Sequence, residues 1–493
     1  MYEGGTKGYF YNVTFQGLGG KYGGALSGWY GDRGDIDEPL EYYCSHCRFI
    51  ETRGDGAASY ATIVGMWKVH ARFHDCIWER NLGGALYIYE SSILPTDFKV
   101  EVIRCIFRDN AGCAGSWPGN GAAVIANAGG HLIISDTIIE RSTGSTGLDG
   151  CGMAVIGGAG ATMRNVSILS NKCSTIGGGL SVASGSSVTM TDSLLKGNEA
   201  ETGSGFILNG ANLFIYNSTI AASTSSSTAP YDVAAESHLV AKNVLFRDGT
   251  AIASSIGGFQ VTASSTVSLT DCVVYNHYAF WNSGGVAFVA DGSTFIATGT
   301  VFEKSFALGH GGCFKVNGGG SFVILDDCDM IGCSTEGYGG AAMVSSSGSM
   351  SIANSRITGS YATTEGAVAH VGSGGKLRIV STTITNSSGG KFYIVDDTGD
   401  DWAVQLDTVD VDDTTLYSES AMLVQNCKGF DGATSLNASV ATCESTSDFC
   451  LRESCANDVS GVGIECICLV DGVPAVRLRS TKSRELAEEQ TAN

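Results

Sequence analysis

The chain has 493 residues, 68 of them Gly and only 5 Pro, with 43% hydrophobic and 16% charged residues. A composition this poor in Pro is not that of a disordered linker, and it can bury a long core. The formal charge of −21 argues against nucleic acid and anionic membrane as partners.

Taken in order, the opening Met1–Lys7 has no apolar secretory core and runs straight into a coil-like stretch, Tyr11-Asn12-Val13-Thr14-Phe15. That start fits a piece of a longer chain whose leader lies elsewhere. From Phe15 a large apolar residue recurs at Phe49, Trp78, Phe107, Ile139, Ile168, Leu195, Ile220, Phe246, Val274, Phe302, Met330, Ile357 and Ile384. The steps lie between 25 and 34 residues, which is the period of a repeat architecture. Each repeat carries three alternating apolar segments, for example Leu180-Ser181-Val182, Ser187-Val188-Thr189-Met190 and Ser193-Leu194-Leu195. Alternation over three to five residues predicts short strands with one buried face. Three short strands per 25–32 residues do not suit a meander or sandwich, so the strands are expected to stack in parallel. The predicted fold is all-β: a right-handed parallel β-helix of about fourteen coils over residues 1–425, roughly 65 Å long at about 4.8 Å per coil.

Two further ladders mark the corners. Asp75, Asp136, Asn165, Asp192, Asn217, Asn243, Asp271, Asp327 and Asn354 share one slot, with Arg104 and Gly299 as exceptions. Asx residues tolerate left-handed backbone, so a turn ladder is expected there; the competing reading is a calcium-binding row of carboxylates. Gly pairs at 23–24, 83–84, 178–179, 257–258, 284–285, 311–312 and 339–340 mark a corner needing positive φ or close backbone approach. Insertions around 28–43, 89–97 and 113–120 are expected to carry contacts. The repeat fades after Gly390. Residues 426–470 form a separate disulfide-dense module with candidates Cys427, Cys443, Cys450, Cys455, Cys466 and Cys468, and 471–493 a polar tail.

The 17 cysteines suggest an oxidising compartment, and the Asn-x-Ser/Thr sequons at Asn12, Asn165, Asn217, Asn386 and Asn437 permit glycosylation there. Cys47, Cys76 and Cys105, 29 residues apart, fall in one core slot on adjacent coils. A buried cysteine stack, a disulfide among them, and a zinc site of Cys44, Cys47, His70 and His74 are the three readings.

Phe107-Arg108-Asp109-Asn110, with Gly23-Gly24-Ala25-Leu26 and Gly83-Gly84-Ala85-Leu86, resembles the repeats of chlamydial-type polymorphic outer membrane proteins. More broadly the chain is similar to pectin-lyase-like β-helices. The resemblance implies a surface-exposed adhesive or structural role. The spacing from Cys443 to Cys468 resembles the first five cysteines of an EGF-like module, an extracellular spacer.

Two motifs invite a catalytic reading. Gly309-His310-Gly311 resembles the Gly-His-Gly of polygalacturonases, but Asp326 and Asp327 follow His310 and no basic cluster comes after them. A lyase would combine Ca²⁺-binding carboxylates with a basic residue, and Asp75, Arg104 and Asp136 share one ladder. The expected function is therefore non-catalytic: an extracellular or cell-surface protein binding a protein or polysaccharide surface ligand along its solenoid face, with no cofactor beyond calcium. A polysaccharide lyase or glycoside hydrolase is the alternative, and a self-associating filament subunit is the third.

Overall fold

The computed structural model describes residues 7–20, 24–28, 40–54, 63–66, 69–89, 99–112, 123–144, 150–252, 256–281, 283–388, 391–394, 403–411, 416–418, 422–425, 440–441, 467–470 and 473–476. Apart from 467–470 and 473–476, these form a right-handed parallel β-solenoid. All fourteen apolar marker residues lie in register on the three-residue strands of one parallel sheet, and Val411, on a two-residue strand, stacks on Ile384 as the fifteenth. The candidates Cys427, Cys443, Cys450, Cys455 and Cys466, the sequon at Asn437 and most of the insertions expected at 28–43, 89–97 and 113–120 lie outside the described residues, while residues 40–43 of the first belong to the strand Leu40–Ser45. Cys468 sits on an antiparallel hairpin, Ile467–Val470 with Val473–Val476.

A coil has four faces where alternation predicts three. In the coil opening at Leu180 they are Leu180–Ala183, Ser187–Thr191, Leu194–Lys196 and Glu199–Ala200. The next coil repeats them from Phe206. The fourth, two-residue strand is too short to show alternation, yet ten such strands pair into their own sheet. The chain turns between the five- and three-residue faces through left-handed backbone. Asp75, Arg104, Asp136, Asn165 and Gly299 have φ of 54°, 53°, 51°, 52° and 59°, so the Asx slot is a turn ladder and its two exceptions obey the same geometry. Backbone bonding at the corner runs to the next coil, as when Asp75 N–H donates to Ile103 C=O at 3.0 Å.

The Gly pairs meet both demands expected of them. Gly284, Gly311 and Gly339 hold φ of 76°, 65° and 74°. A Cβ on Gly285, Gly312 or Gly340 would come within 2.2–2.3 Å of a carbonyl oxygen of the following coil, closer than any side chain is accommodated.

The interior is filled by columns of like residues. Phe15, Phe49, Trp78 and Phe107 stack ring on ring, with centroids 5.0, 5.0 and 4.3 Å apart. Each such pair adds about 0.5–1.5 kcal/mol beyond its area burial. Three residues after the marker, a polar column is buried. Asn110 Oδ1 accepts from Asn81 N–H at 3.1 Å and from Asn81 Nδ2 at 2.9 Å, while Asn110 Nδ2 donates to Trp78 C=O at 3.2 Å. Asn171 and Asn198 repeat the pattern. The amides bond the corner that opens the two-residue face, where water cannot reach.

Two residues before the marker, Cys47, Cys76 and Cys105 are buried as free thiols in one stack. Cys76 Sγ donates to His74 C=O at 3.2 Å and Cys105 Sγ to Ile103 C=O at 3.3 Å. The hydrogen bond with Cys105, followed by burial, pushes the Cys76 thiol far above its ordinary range, and burial does the same to Cys44. Thiols held protonated in this way are poor nucleophiles and poor metal ligands. The disulfides formed among the described residues join other positions: Cys151 with Cys173, and Cys313 with Cys333. Each closes most of one coil across two different faces, so neither lies at the repeat spacing.

Replacing Asn110 by Ala removes the acceptor of the buried Asn81 N–H and one donor to the Trp78 carbonyl. Urea unfolding followed by tryptophan fluorescence should show a loss of about 2–4 kcal/mol. Arg104→Ala, which removes an exposed ion pair, should leave the same transition almost unmoved.

Candidate binding face

Along the five-residue face, alternate side chains point inward and the others form three outward columns. In the first five coils the register places Lys7, Glu41, His70, Lys99 and His131 in the first column. Tyr9, Tyr43, Arg72, Glu101 and Ile133 form the second. Tyr11, Ser45, His74, Ile103 and Ser135 form the third. Nothing in the core requires these residue types, because their side chains lie outside it.

The second column is a continuous stack. The Tyr9 and Tyr43 rings are 5.0 Å apart and within 7° of parallel. The Arg72 guanidinium lies 6.0 Å from the Tyr43 centroid and pairs with Glu101 at 2.8 Å. Tyr9 and Tyr11 remain 71% and 73% exposed. Beside the rings is a concavity of about 350 Å³, lined by Tyr9, Phe10, Tyr11, Tyr43, Arg72 and His74 among others. A second of about 390 Å³ adjoins it, lined by Glu41, Tyr43, His70, Arg72, Lys99 and Glu101. A flat ring with polar groups at its edge suits a ligand that has an apolar face and a hydroxylated rim.

The carboxylates here are already paired. Glu41 accepts from Lys7 at 2.9 Å and from the Tyr43 hydroxyl at 3.0 Å. The Lys7 hydrogen bond holds the Glu41 carboxyl below its ordinary range, and the bond to Glu41 raises the Tyr43 hydroxyl. A general acid needs its proton near neutral pH, so a carboxyl shifted downward is set for charge pairing.

The residues singled out for catalysis fall in separate places. Asp75 and Arg104 do meet: Arg104 Nε and Nη2 donate to Asp75 Oδ1 and Oδ2 at 2.8 and 2.9 Å. The Arg104 bond lowers the Asp75 carboxyl. Asp136, next in that corner ladder, accepts from Asn165 Nδ2 at 2.7 Å. Asp326 and Asp327 stand at the same corner seven coils beyond Asp136. Asp326 is buried and accepts from Asn354 Nδ2 at 2.8 Å, and Asp327 is the left-handed turn residue, φ 52°. His310 lies at the Gly corner before the four-residue face, with its ring 5.2 Å from Tyr338. Tyr338, His370 and Tyr393 continue that stack. Burial, aided by Lys315, lowers His310 and keeps it neutral. Among the described residues no three His, Cys, Asp or Glu side chains converge to hold a metal ion; His46 instead shares a 2.8 Å bond with Ser45 Oγ.

The sequons have a structural origin. Asn12, Asn165 and Asn217 are left-handed corner residues with φ of 53°, 52° and 47°, and Asn386 occupies the next corner at 53°. For Asn12, Asn165 and Asn217 the required Ser or Thr two positions on is the first residue of the following strand. The repeat itself thus generates the motif.

One carboxylate does depart upward. Asp232 lies on Tyr231–Ala234, is only 6% exposed, and leaves Oδ1 without a partner. Burial pushes it up to about 6. No sequence motif marks it.

Residues 122–302 match the family model for the right handed beta helix region. No curated protein matches the chain. With the stacked coils described above, the match establishes a β-helix repeat protein.

Because the native carboxyl of Asp232 holds its proton up to about pH 6 and the unfolded one only to about pH 4, its stabilising contribution is present below the lower value. That contribution is lost as pH rises between the two. Asp232→Asn should therefore raise stability at pH 7 by about 2–3 kcal/mol and leave it almost unchanged near pH 3.5. Denaturation curves at the two pH values check this.

Proposed function

We propose that this chain is a non-catalytic binding protein, extracellular or at the cell surface, that holds a polysaccharide on the outward columns of its first coils. The observation that carries this reading is the exposed, parallel Tyr9–Tyr43 stack with Arg72 at its end. A sugar ring presents an apolar C–H face to such a platform and its hydroxyls or carboxylates to Arg72, His70 and Lys99. These rings are fixed by sheet register, so little side-chain entropy is lost on binding. Lys7, Arg72 and Lys99 outnumber Glu41 and Glu101 here, in a chain whose total charge is −21. That local surplus favours an acidic glycan over a neutral one.

An adhesive role agrees with the resemblance of the Gly-Gly-Ala-Leu coils to chlamydial-type surface proteins. The lyase or hydrolase reading draws less support, since its carboxylates are charge-paired or turn residues and its histidine is stacked on another face.

The test is binding and turnover on a panel of acidic and neutral polysaccharides with Ca²⁺ present. Binding of an acidic glycan without turnover is expected, with Tyr9→Ala and Tyr43→Ala each weakening it about 5- to 10-fold. Turnover of any member would overturn the proposal, and so would binding that is indifferent to both substitutions.

A further inference from the structure

The two-residue face carries a second surface that the repeat does not demand. Its first outward column is polar at Thr143, Lys172, Glu199 and Thr224 and again at Ser334, with Ala111 and Tyr361 at its two ends. The column two residues on holds Ser226 and Glu336. Between these, three consecutive coils change character. Thr250, Tyr278 and Phe306 are register partners in the first column. Ile252, Phe280 and Leu308 follow in the second, each N–H donating to the coil before: Ser225, Ala251 and Ala279 C=O. Ala251, Ala279 and Ala307 alternate inward with 0% exposure. The core is therefore complete without the outward side chains. Ile252, Phe280 and Leu308 are 53%, 48% and 38% exposed, and Trp281, beside Phe280, is 71% exposed. Tyr278 stacks on Phe280 at 6.4 Å and faces Phe306 at 6.2 Å.

We propose that this grid is a self-association surface whose occupant is the same grid of a second copy. Three observations choose that occupant. The grid is a flat array of side chains repeating at the coil spacing of about 4.8 Å, and a surface with the same step is needed to interdigitate with it over three coils. This chain itself presents one. The grid residues carry no charge, so two copies meet without burying an ion. Its apolar area, on the order of 500 Å² per copy, gives about 1,000 Å² when paired, the lower bound for a specific interface and the size of a reversible one. A two-fold axis through Tyr278 and Phe280 makes the contact self-complementary and closed.

The charge of −21 on each copy opposes pairing, so dimerisation must strengthen as salt screens it. Sedimentation velocity on the full chain, in a concentration series at about 0.05 and 0.5 M NaCl, tests this. Wild type should show a concentration-dependent dimer that tightens at the higher salt. The pair Trp281→Ser and Phe280→Ser, checked for a native circular dichroism spectrum, should weaken the dimer at least tenfold. Tyr9→Ala with Tyr43→Ala should dimerise as wild type does, which separates this surface from the glycan-binding face. A wild type that stays monomeric throughout, or a serine pair that dimerises unchanged, overturns the proposal. So does a monomer that binds a neutral glucan through Trp281.

Discussion

Backbone hydrogen bonding from each coil to the next, corners included, is the constraint from which the rest of this structure follows. In a closed sheet the strands satisfy one another automatically, but a solenoid must also satisfy its turns. Here Asp75, Arg104 and Asp136 N–H groups each donate to a carbonyl of the following coil, which obliges every corner to adopt the same backbone. Left-handed corners select Asx or Gly, crowded corners select Gly, and buried corners recruit the Asn81–Asn110 amides. A residue is therefore intelligible by its column, across coils, more than by its neighbours in sequence.

This is also why much of the fold was legible without coordinates. Marker residues, Asx slots and Gly pairs recur because each column must be filled the same way. Arg104 and Gly299 looked like exceptions only because residue type was being read; their backbone is that of the column. The unreadable features are those that cross columns or fill too little of one. Cys151 and Cys173 pair between two faces at a separation of 22 residues, and the two-residue strands cannot display alternation. Asp232 is perturbed by burial, which no local pattern encodes.

The proposed site carries little signal in the sequence. The solenoid face and the insertions are the expected contact surfaces, and His310, Asp326 and Asp327, residues of the catalytic alternative, stand in a ring stack, a buried amide bond and a turn. Tyr9 and Tyr43 gave no signal because an insertion stretches their coil to 34 residues, hiding that they are vertical neighbours. What distinguishes them is freedom from the core's requirements: an outward position can take any soluble residue. Parallel rings on adjacent coils at such positions call for an explanation outside the fold, and the aromatic grid at 278–308 stands out on the same principle.

The columns also fix how such a protein can change in evolution. A coil is the unit of register, so gaining or losing a whole one rejoins every column without a mismatch, whereas a partial insertion must bulge from a corner. The tyrosine platform belongs to the first two coils and the aromatic grid to the ninth through eleventh. Duplication between them would translate one relative to the other by about 4.8 Å, leaving both intact. The solenoid is thus a ruler with discrete marks, on which the distance between two contacts is set by counting coils.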